Sequence, residues 1–261
     1  MFPLLFKIGP IPIHTYGFMI AIGFLASIWH IRRTTGRAGL DVERCVDFGF
    51  WALFLGFVGA RTLFIITRLS YFMADPIAIF KIWEGGLVFF GGPLAVVPFA
   101  FWYFKKYKLP PWKTSDALIG ALPLGHMFGR FGCLAAGCCY GRPTGSDWGI
   151  RLFSELVDRD HQGIPLHPTQ LYEASALFLL YLGMAYVQKH KKFDGQVVLT
   201  YFMAYPIIRS IVEIYRGDLI RGFVIDGVLS TSQFISLLVF AGAAAFLVYR
   251  LRQVRGQPVK R

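Results

Sequence analysis

Apolar stretches recur along this chain at about 15–31, 46–66, 87–104, 117–138, 171–187, 196–215 and 231–250, each near the ~20 residues an α-helix needs to cross a bilayer's hydrocarbon core. That recurrence predicts an all-α, polytopic integral membrane protein of about seven transmembrane helices. Composition agrees: 55% of the 261 residues are hydrophobic and 16% charged, and the mean hydropathy is +0.52, too apolar for a soluble domain of this length. Aromatic residues reach 17%, as expected of lipid-facing and interfacial surfaces. The gaps leave no room for a soluble domain, and no internal repeat is evident, so residues 1–261 read as a single transmembrane domain. The first stretch has no basic leader and no convincing small-residue cleavage site, and is read as retained.

A net charge of +12 raises the possibility of a nucleic-acid partner, but the basic residues lie in short clusters between apolar stretches instead of along one polar face. Their distribution is informative in another way. Arg32, Arg33, Arg37 and Arg44, Lys105 to Lys113, Lys189 to Lys192, and the group from Arg250 to Arg261 fall in one set of alternate loops. The other set holds about half as many, namely Lys7, Arg68, Lys81, Arg142, Arg151, Arg159, Arg216 and Arg221. The positive-inside rule then places the C-terminus in the cytoplasm and the N-terminus outside.

Three arginines lie inside the apolar stretches: Arg61, Arg130 and Arg209, the last with Glu213 four residues on. Each would cost about 2.5–3.5 kcal/mol if exposed to lipid at the bilayer centre. They must therefore face one another, a hydrated cavity or a polar ligand, unless Arg209 and Glu213 simply pair at helical spacing or Arg61 snorkels from its helix end. The expected topology puts Arg130, Arg209 and Glu213 in the outer half of the membrane. Tyr16, the run Phe89-Phe90-Gly91-Gly92 and the segment from His167 to Glu173 reach the same level. Gly125, Gly129, Gly132, Gly137 and Gly141 would let a backbone or a lipid headgroup approach closely, although tight helix packing explains them nearly as well. Two planar guanidinium forks open to the outer leaflet predict a phospholipid headgroup as ligand.

These fragments together resemble the prolipoprotein diacylglyceryl transferases, over nearly the whole chain. The resemblance runs through Ile8-Gly9-Pro10, His14-Thr15-Tyr16-Gly17, Met73-Ala74-Asp75-Pro76, Trp83-Glu84-Gly85-Gly86-Leu87 and Gly91-Gly92. It continues in Gly129-Arg130-Phe131-Gly132-Cys133, in His167-Pro168-Thr169-Gln170-Leu171-Tyr172-Glu173 and in Arg209-Ser210-Ile211-Val212-Glu213. What it implies is an enzyme of the bacterial inner membrane that moves a diacylglyceryl group from phosphatidylglycerol to the lipobox cysteine of a prolipoprotein, with glycerol phosphate leaving. By the same resemblance Arg130 holds the lipid phosphate, Arg209 assists at the reacting headgroup, Tyr16 lines the pocket, Glu213 orients Arg209 and Gly141 closes the signature loop. His14, Arg61, His167 and Glu173 join the substrate-binding set, and no metal or other cofactor is implied. The partners are phosphatidylglycerol, the lipobox-bearing signal peptide and membrane lipids.

This chain departs from the family pattern at three places. A histidine usual before the double glycine is Phe90, which leaves the thiol-activating base unassigned, with His14, His167 and Tyr16 as substitutes. The asparagine usual after Gly-Arg-x-Gly is Cys133, and the run Cys138-Cys139-Tyr140-Gly141 replaces an acidic residue. The outer loop at about 142–166 is also short.

The cysteines Cys45, Cys133, Cys138 and Cys139 form no spaced disulfide framework, and the clustered three read first as small apolar packing residues. Zinc would need further ligands, for which His126 and His161 lack zinc-finger spacing. A lipobox-like string at Ala135 to Cys138 is misplaced for a signal peptide. His126 reads as a hydrogen-bonded interior histidine, and Asp116 as a first-turn cap on its own helix. Two rival functions remain, a thiol–disulfide redox protein using Cys133, Cys138 and Cys139, and a lipid or anion transporter.

Overall fold

In a computed structural model, which describes residues 4–9, 11–81, 85–217, 223–225 and 228–255, each apolar stretch is occupied by a helix. These are α1 (Thr15–Arg37), α2 (Val42–Thr67), α3 (Leu69–Ala74), α4 (Gly91–Lys106), α5 (Pro111–Ile119), α6 (Ala121–Ala136), α7 (Thr169–His190), α8 (Gln196–Tyr215) and α9 (Thr231–Arg255). Among the described residues, four segments are long and apolar enough to cross a membrane by length and composition: Val42–Thr67, Pro111–Ala136, Gln196–Tyr215 and Thr231–Gln253. The predicted fourth stretch is two helices end to end, divided at Gly120. The third is shortened, because residues 87–90 precede the helical turn that begins at Gly91. The motif residues Pro10, Trp83 and Glu84, and the basic residues Arg221, Lys260 and Arg261, lie outside the described residues.

The expectation of a purely helical chain is amended by three short antiparallel hairpins: β1 (Leu4–Ile8) with β2 (Ile11–His14), β3 (Ile150–Arg151) with β4 (Pro165–Leu166), and β5 (Phe223–Ile225) with β6 (Leu229–Ser230). Each sits in a connection, where backbone groups outside helices must still find partners. Periodicity could not reveal them, since strands of two to five residues are too short to alternate convincingly.

The chain gathers into two compact units, Ile31–Thr114 and the remainder, Met1–His30 with Ser115–Arg261. In the smaller unit α2 packs on α4 around Phe48, which meets Phe99, Tyr103 and Phe104 ring to ring. The outward side of α4 leaves Leu94 and Phe101 67% and 71% exposed, a surface tolerable only against lipid or another apolar partner.

In the larger unit α6 packs on α7, α7 on α8 and α8 on α9. Gly23 of α1 lies so close to α6 that a β-carbon there would stand 3.0 Å from the Gly125 carbonyl oxygen, the close approach small residues permit between apolar helices. Asp116 was expected to cap its own helix. Instead it is buried and caps α8 from a distance, accepting from the backbone N–H groups of Gly195 (2.8 Å), Val197 and Val198 (both 3.1 Å). Lys191 Nζ adds a fourth bond at 2.8 Å. Burial pulls the Lys191 ammonium down, but Asp116 and Asp194 outweigh it and leave it above its ordinary value. This staple sets the start of the helix that carries Arg209.

Candidate active site

α6 ends where Gly137 takes φ +81°, and its N–H and that of Cys138 return to the Cys133 carbonyl at 2.9 and 3.1 Å. That is the helix-stop geometry only glycine adopts freely. About two to three turns earlier on the same helix, His126 and Arg130 stand four residues apart and so share a face. Arg130 Nε donates to His126 Nε2 at 3.2 Å, and Arg130 Nη2 donates to Glu173 Oε1 of α7 at 2.9 Å. Glu173 Oε1 is also 3.6 Å from His126 Nε2. Arg130 is 8% exposed and Glu173 0%, so the pair is drawn out of solvent, where a lone charge would be prohibitive.

On α8, Arg209 pairs through Nη2 with Glu213 Oε2, the i,i+4 arrangement expected from the sequence. His126 lies within electrostatic range of Arg130, Glu173 and Arg209. Neither pair is closed. Glu173 Oε2 and Arg209 Nη1 are both buried with no hydrogen-bond partner among the described residues. Buried polar atoms in folded proteins are nearly always satisfied, so a spare donor on a guanidinium marks a place for an anion.

The loop that follows α6 is held to the rest of the site by backbone bonds. Gly141 N–H donates to the His167 carbonyl at 3.0 Å, Arg142 N–H to that of Tyr215 at 2.9 Å, and Gly217 N–H to that of Tyr140 at 3.1 Å. The Arg142 guanidinium also reaches the Ile214 carbonyl. A β-carbon on Gly141 would come within 2.6 Å of the His167 oxygen and 2.8 Å of that of Tyr215, so three segments can cross here only because position 141 has no side chain. Beside the crossing is a cavity of about 460 Å³ lined by Ser146, Trp148, His167, Tyr172, Ile211, Val212 and Tyr215. His167 Nδ1 is 3.2 Å from Tyr172 Oη at its wall.

Tyr16 packs on Gly132, whose added β-carbon would stand 2.9 Å from Tyr16 Cδ2, and lies within electrostatic range of Arg130 and of Cys133, Cys138 and Cys139. An added β-carbon on Gly129, the residue before Arg130, would meet nothing within 4 Å. His14 is exposed in β2, where it pairs with Leu4 of β1. Arg61 belongs to the other unit, and among the described residues its guanidinium meets no acid. Its guanidinium donates to the carbonyls of Ala78 (2.8 Å), Ile79, Lys81, Gly85 (2.6 Å) and Gly86 (3.0 Å).

His126 is a hydrogen-bonded interior residue, as expected, but it stands at the centre of the polar network, and its spacing from Arg130 was the available signal. Arg216 was counted only as a loop cation. It is buried, its backbone pairs with Gly141, and it acts electrostatically on Cys139. Nothing in its local sequence marked it.

Residues 3–249 match the sequence model described as prolipoprotein diacylglyceryl transferase. Among curated proteins, the chain is 33% identical to phosphatidylglycerol–prolipoprotein diacylglyceryl transferase 2 of Clostridium perfringens, over 96% of this chain and 95% of that one. It is 32% identical to the phosphatidylglycerol–prolipoprotein diacylglyceryl transferase of Clostridium tetani, over 97% and 100%. A third such relative, from Geobacter sulfurreducens, is 31% identical over 91% of each chain.

Proposed function

From the premise that this chain belongs to the prolipoprotein diacylglyceryl transferase family, we propose how its residues carry out the family's reaction. The protein is a multi-pass enzyme of the bacterial inner membrane that transfers a diacylglyceryl group from phosphatidylglycerol to a lipoprotein cysteine. In our reading both compact units serve one transferase domain spanning residues 1–261, with seven crossings, the N-terminus periplasmic and the C-terminus cytoplasmic.

The reaction forms a bond between the cysteine sulfur and the glyceryl carbon while the bond from that carbon to the phosphate oxygen breaks, and the electron pair leaves on glycerol phosphate. Negative charge thus grows on the departing phosphate, and fixed guanidinium groups in a water-poor site lower the barrier most where that charge develops. We assign this role to Arg130 and Arg209. Glu173 and Glu213 act as positioning residues, each holding one fork while leaving a nitrogen of the same guanidinium uncommitted. The phosphate approaches past Gly129, Tyr16 borders the reacting centre, and Gly141 keeps the signature loop against His167. The lipobox peptide occupies the side of the site formed by His167, Tyr172 and Tyr215. Arg61, with its donors engaged by carbonyls, serves as scaffold.

The observation that carries this reading is the buried Nη1 of Arg209, which has no hydrogen-bond partner among the described residues. Purified protein in phosphatidylglycerol vesicles, given a lipobox peptide, is expected to yield the thioether-linked peptide by mass. Vesicles that lose phosphatidylglycerol to the opposite leaflet without any thioether product would instead favour transport.

A further inference from the structure

Cys133, Cys138 and Cys139 present three sulfur atoms that all lie within 4.8 Å of one another. Sequence spacing alone did not predict this, because Cys133 belongs to the last turn of α6 and the other two follow the helix stop at Gly137. The stop folds the chain back, and the backbone is then fixed in place. Thr169 Oγ1 donates to the Cys139 carbonyl at 2.8 Å and Gln170 Nε2 to the Cys138 carbonyl at 2.8 Å, and both of these side chains are 1% exposed. Cys139 itself holds φ +61°, a left-handed conformation that a residue with a β-carbon adopts only when its surroundings impose it. Two buried side chains and a strained residue serve here to aim thiols at a common point.

We propose that these three cysteines form a catalytic zinc-type site that binds a thiophilic divalent ion and offers its fourth position to the acceptor cysteine. Zinc–sulfur bonds of about 2.3 Å place tetrahedral sulfurs roughly 3.8 Å apart, so the existing cluster needs only a small contraction. Three protein ligands with one open position are the composition of catalytic zinc sites, whereas structural sites are closed by four. Three thiolates on a divalent ion carry one net negative charge, and Arg130 and Arg216 both act electrostatically on Cys139. The cluster also lies within electrostatic range of Tyr16, which packs on Gly132, the residue before Cys133.

This inference rests on the transfer reading and supplies what that reading lacks at Phe90, a means of generating the thiolate. On binding the ion the acceptor thiol gives its proton to water. Its sulfur then forms the bond to the glyceryl carbon as the carbon–oxygen bond to phosphate breaks and the electron pair departs with glycerol phosphate. The ion keeps its three protein thiolates and its oxidation state throughout.

The test uses untagged full-length protein in detergent, stripped with a chelator and titrated with Co²⁺. About one ion per chain with intense sulfur-to-cobalt charge-transfer absorption is expected, and a lipobox peptide should shift that absorption while its serine analogue does not. Cys139→Ser should weaken cobalt binding at least ~10-fold, and Thr169→Val, which frees the Cys139 carbonyl, roughly 10-fold; Cys45→Ser, in the other unit, should change nothing. Stripped wild-type protein that takes up no cobalt, or that transfers at full rate without metal, overturns the proposal even if every cysteine variant misfolds. Cobalt bound with thiolate absorption that the peptide leaves unmoved overturns the open fourth position. Wild-type protein that binds cobalt with the expected spectrum but forms no thioether under any condition would instead defeat the transfer reading.

Discussion

Arg61 and Arg209 are buried almost equally, at 8% and 6% exposed, and both stand on apolar helices, yet their guanidinium groups meet opposite surroundings. Arg61 donates to five backbone carbonyls between Ala78 and Gly86 and so supports a connection that has no regular ladder of its own. Arg209 has a single carboxylate partner and a buried Nη1 with none among the described residues. The acids repeat the contrast. Asp116 accepts four bonds, whereas Glu173 Oε2 accepts none among the described residues. Burial alone therefore does not identify a functional charge; an incomplete hydrogen-bond shell around it does, because such a shell is costly unless a ligand completes it.

The contrast fails first if Arg209 proves dispensable. Arg209→Ala is expected to lower thioether formation by roughly 10²–10³-fold, the usual effect of removing one transition-state donor. Arg209→Lys should recover little, since an ammonium offers no planar fork. A rate within a few-fold of wild type, measured per folded molecule, would make Arg209 another Arg61.

Arg61→Met should do the reverse. Leaving five carbonyls without their cation is expected to weaken resistance to unfolding by about 3 kcal/mol, while transfer per folded molecule changes by less than about threefold. A denaturant titration paired with the peptide assay separates the two effects. If transfer collapses while stability holds, Arg61 belongs with the substrate after all.

Gly141→Ala sharpens the picture at intermediate size. The added methyl must displace His167 or the 215–217 segment, and a shift of that kind near the reacting groups is expected to reduce transfer about 10-fold or more. The loss should appear in kcat more than in KM, because the lipid-binding guanidinium groups remain.

The smallest effect concerns the staple at Asp116. Lys191 titrates above its ordinary value in the folded protein, so the stability it contributes is fully present below its unfolded pKa of about 10.4 and is lost as pH rises through the higher folded value. Melting temperature should therefore hold up to about pH 10 and decline above it, and Lys191→Met should flatten that decline. Transfer at neutral pH should be indifferent to the same change.

Parts of this site were readable without coordinates. The Arg209 and Glu213 pair follows from helical spacing; the same spacing separates His126 from Arg130, but nothing local fixed a partner for that histidine. The partner of Arg130 was not readable: Glu173 is 43 residues away on another helix, and its motif suited a structural acid as well as a ligand. The role of Asp116 was hidden for the same reason, since the N–H groups that donate to it lie beyond position 190 and a cap is ordinarily sought in its own first turn.

By itself the sequence determined the solvent of this protein, the places where its helices run, and the need for its intramembrane arginines to find company. Those follow from transfer free energies that add up along short, contiguous segments. Which company each arginine keeps, and that three cysteines converge on one point, were decided only by the tertiary structure. Hydrogen bonds and sulfur clusters act over about 3–5 Å, and only folding brings residues distant in sequence within that range.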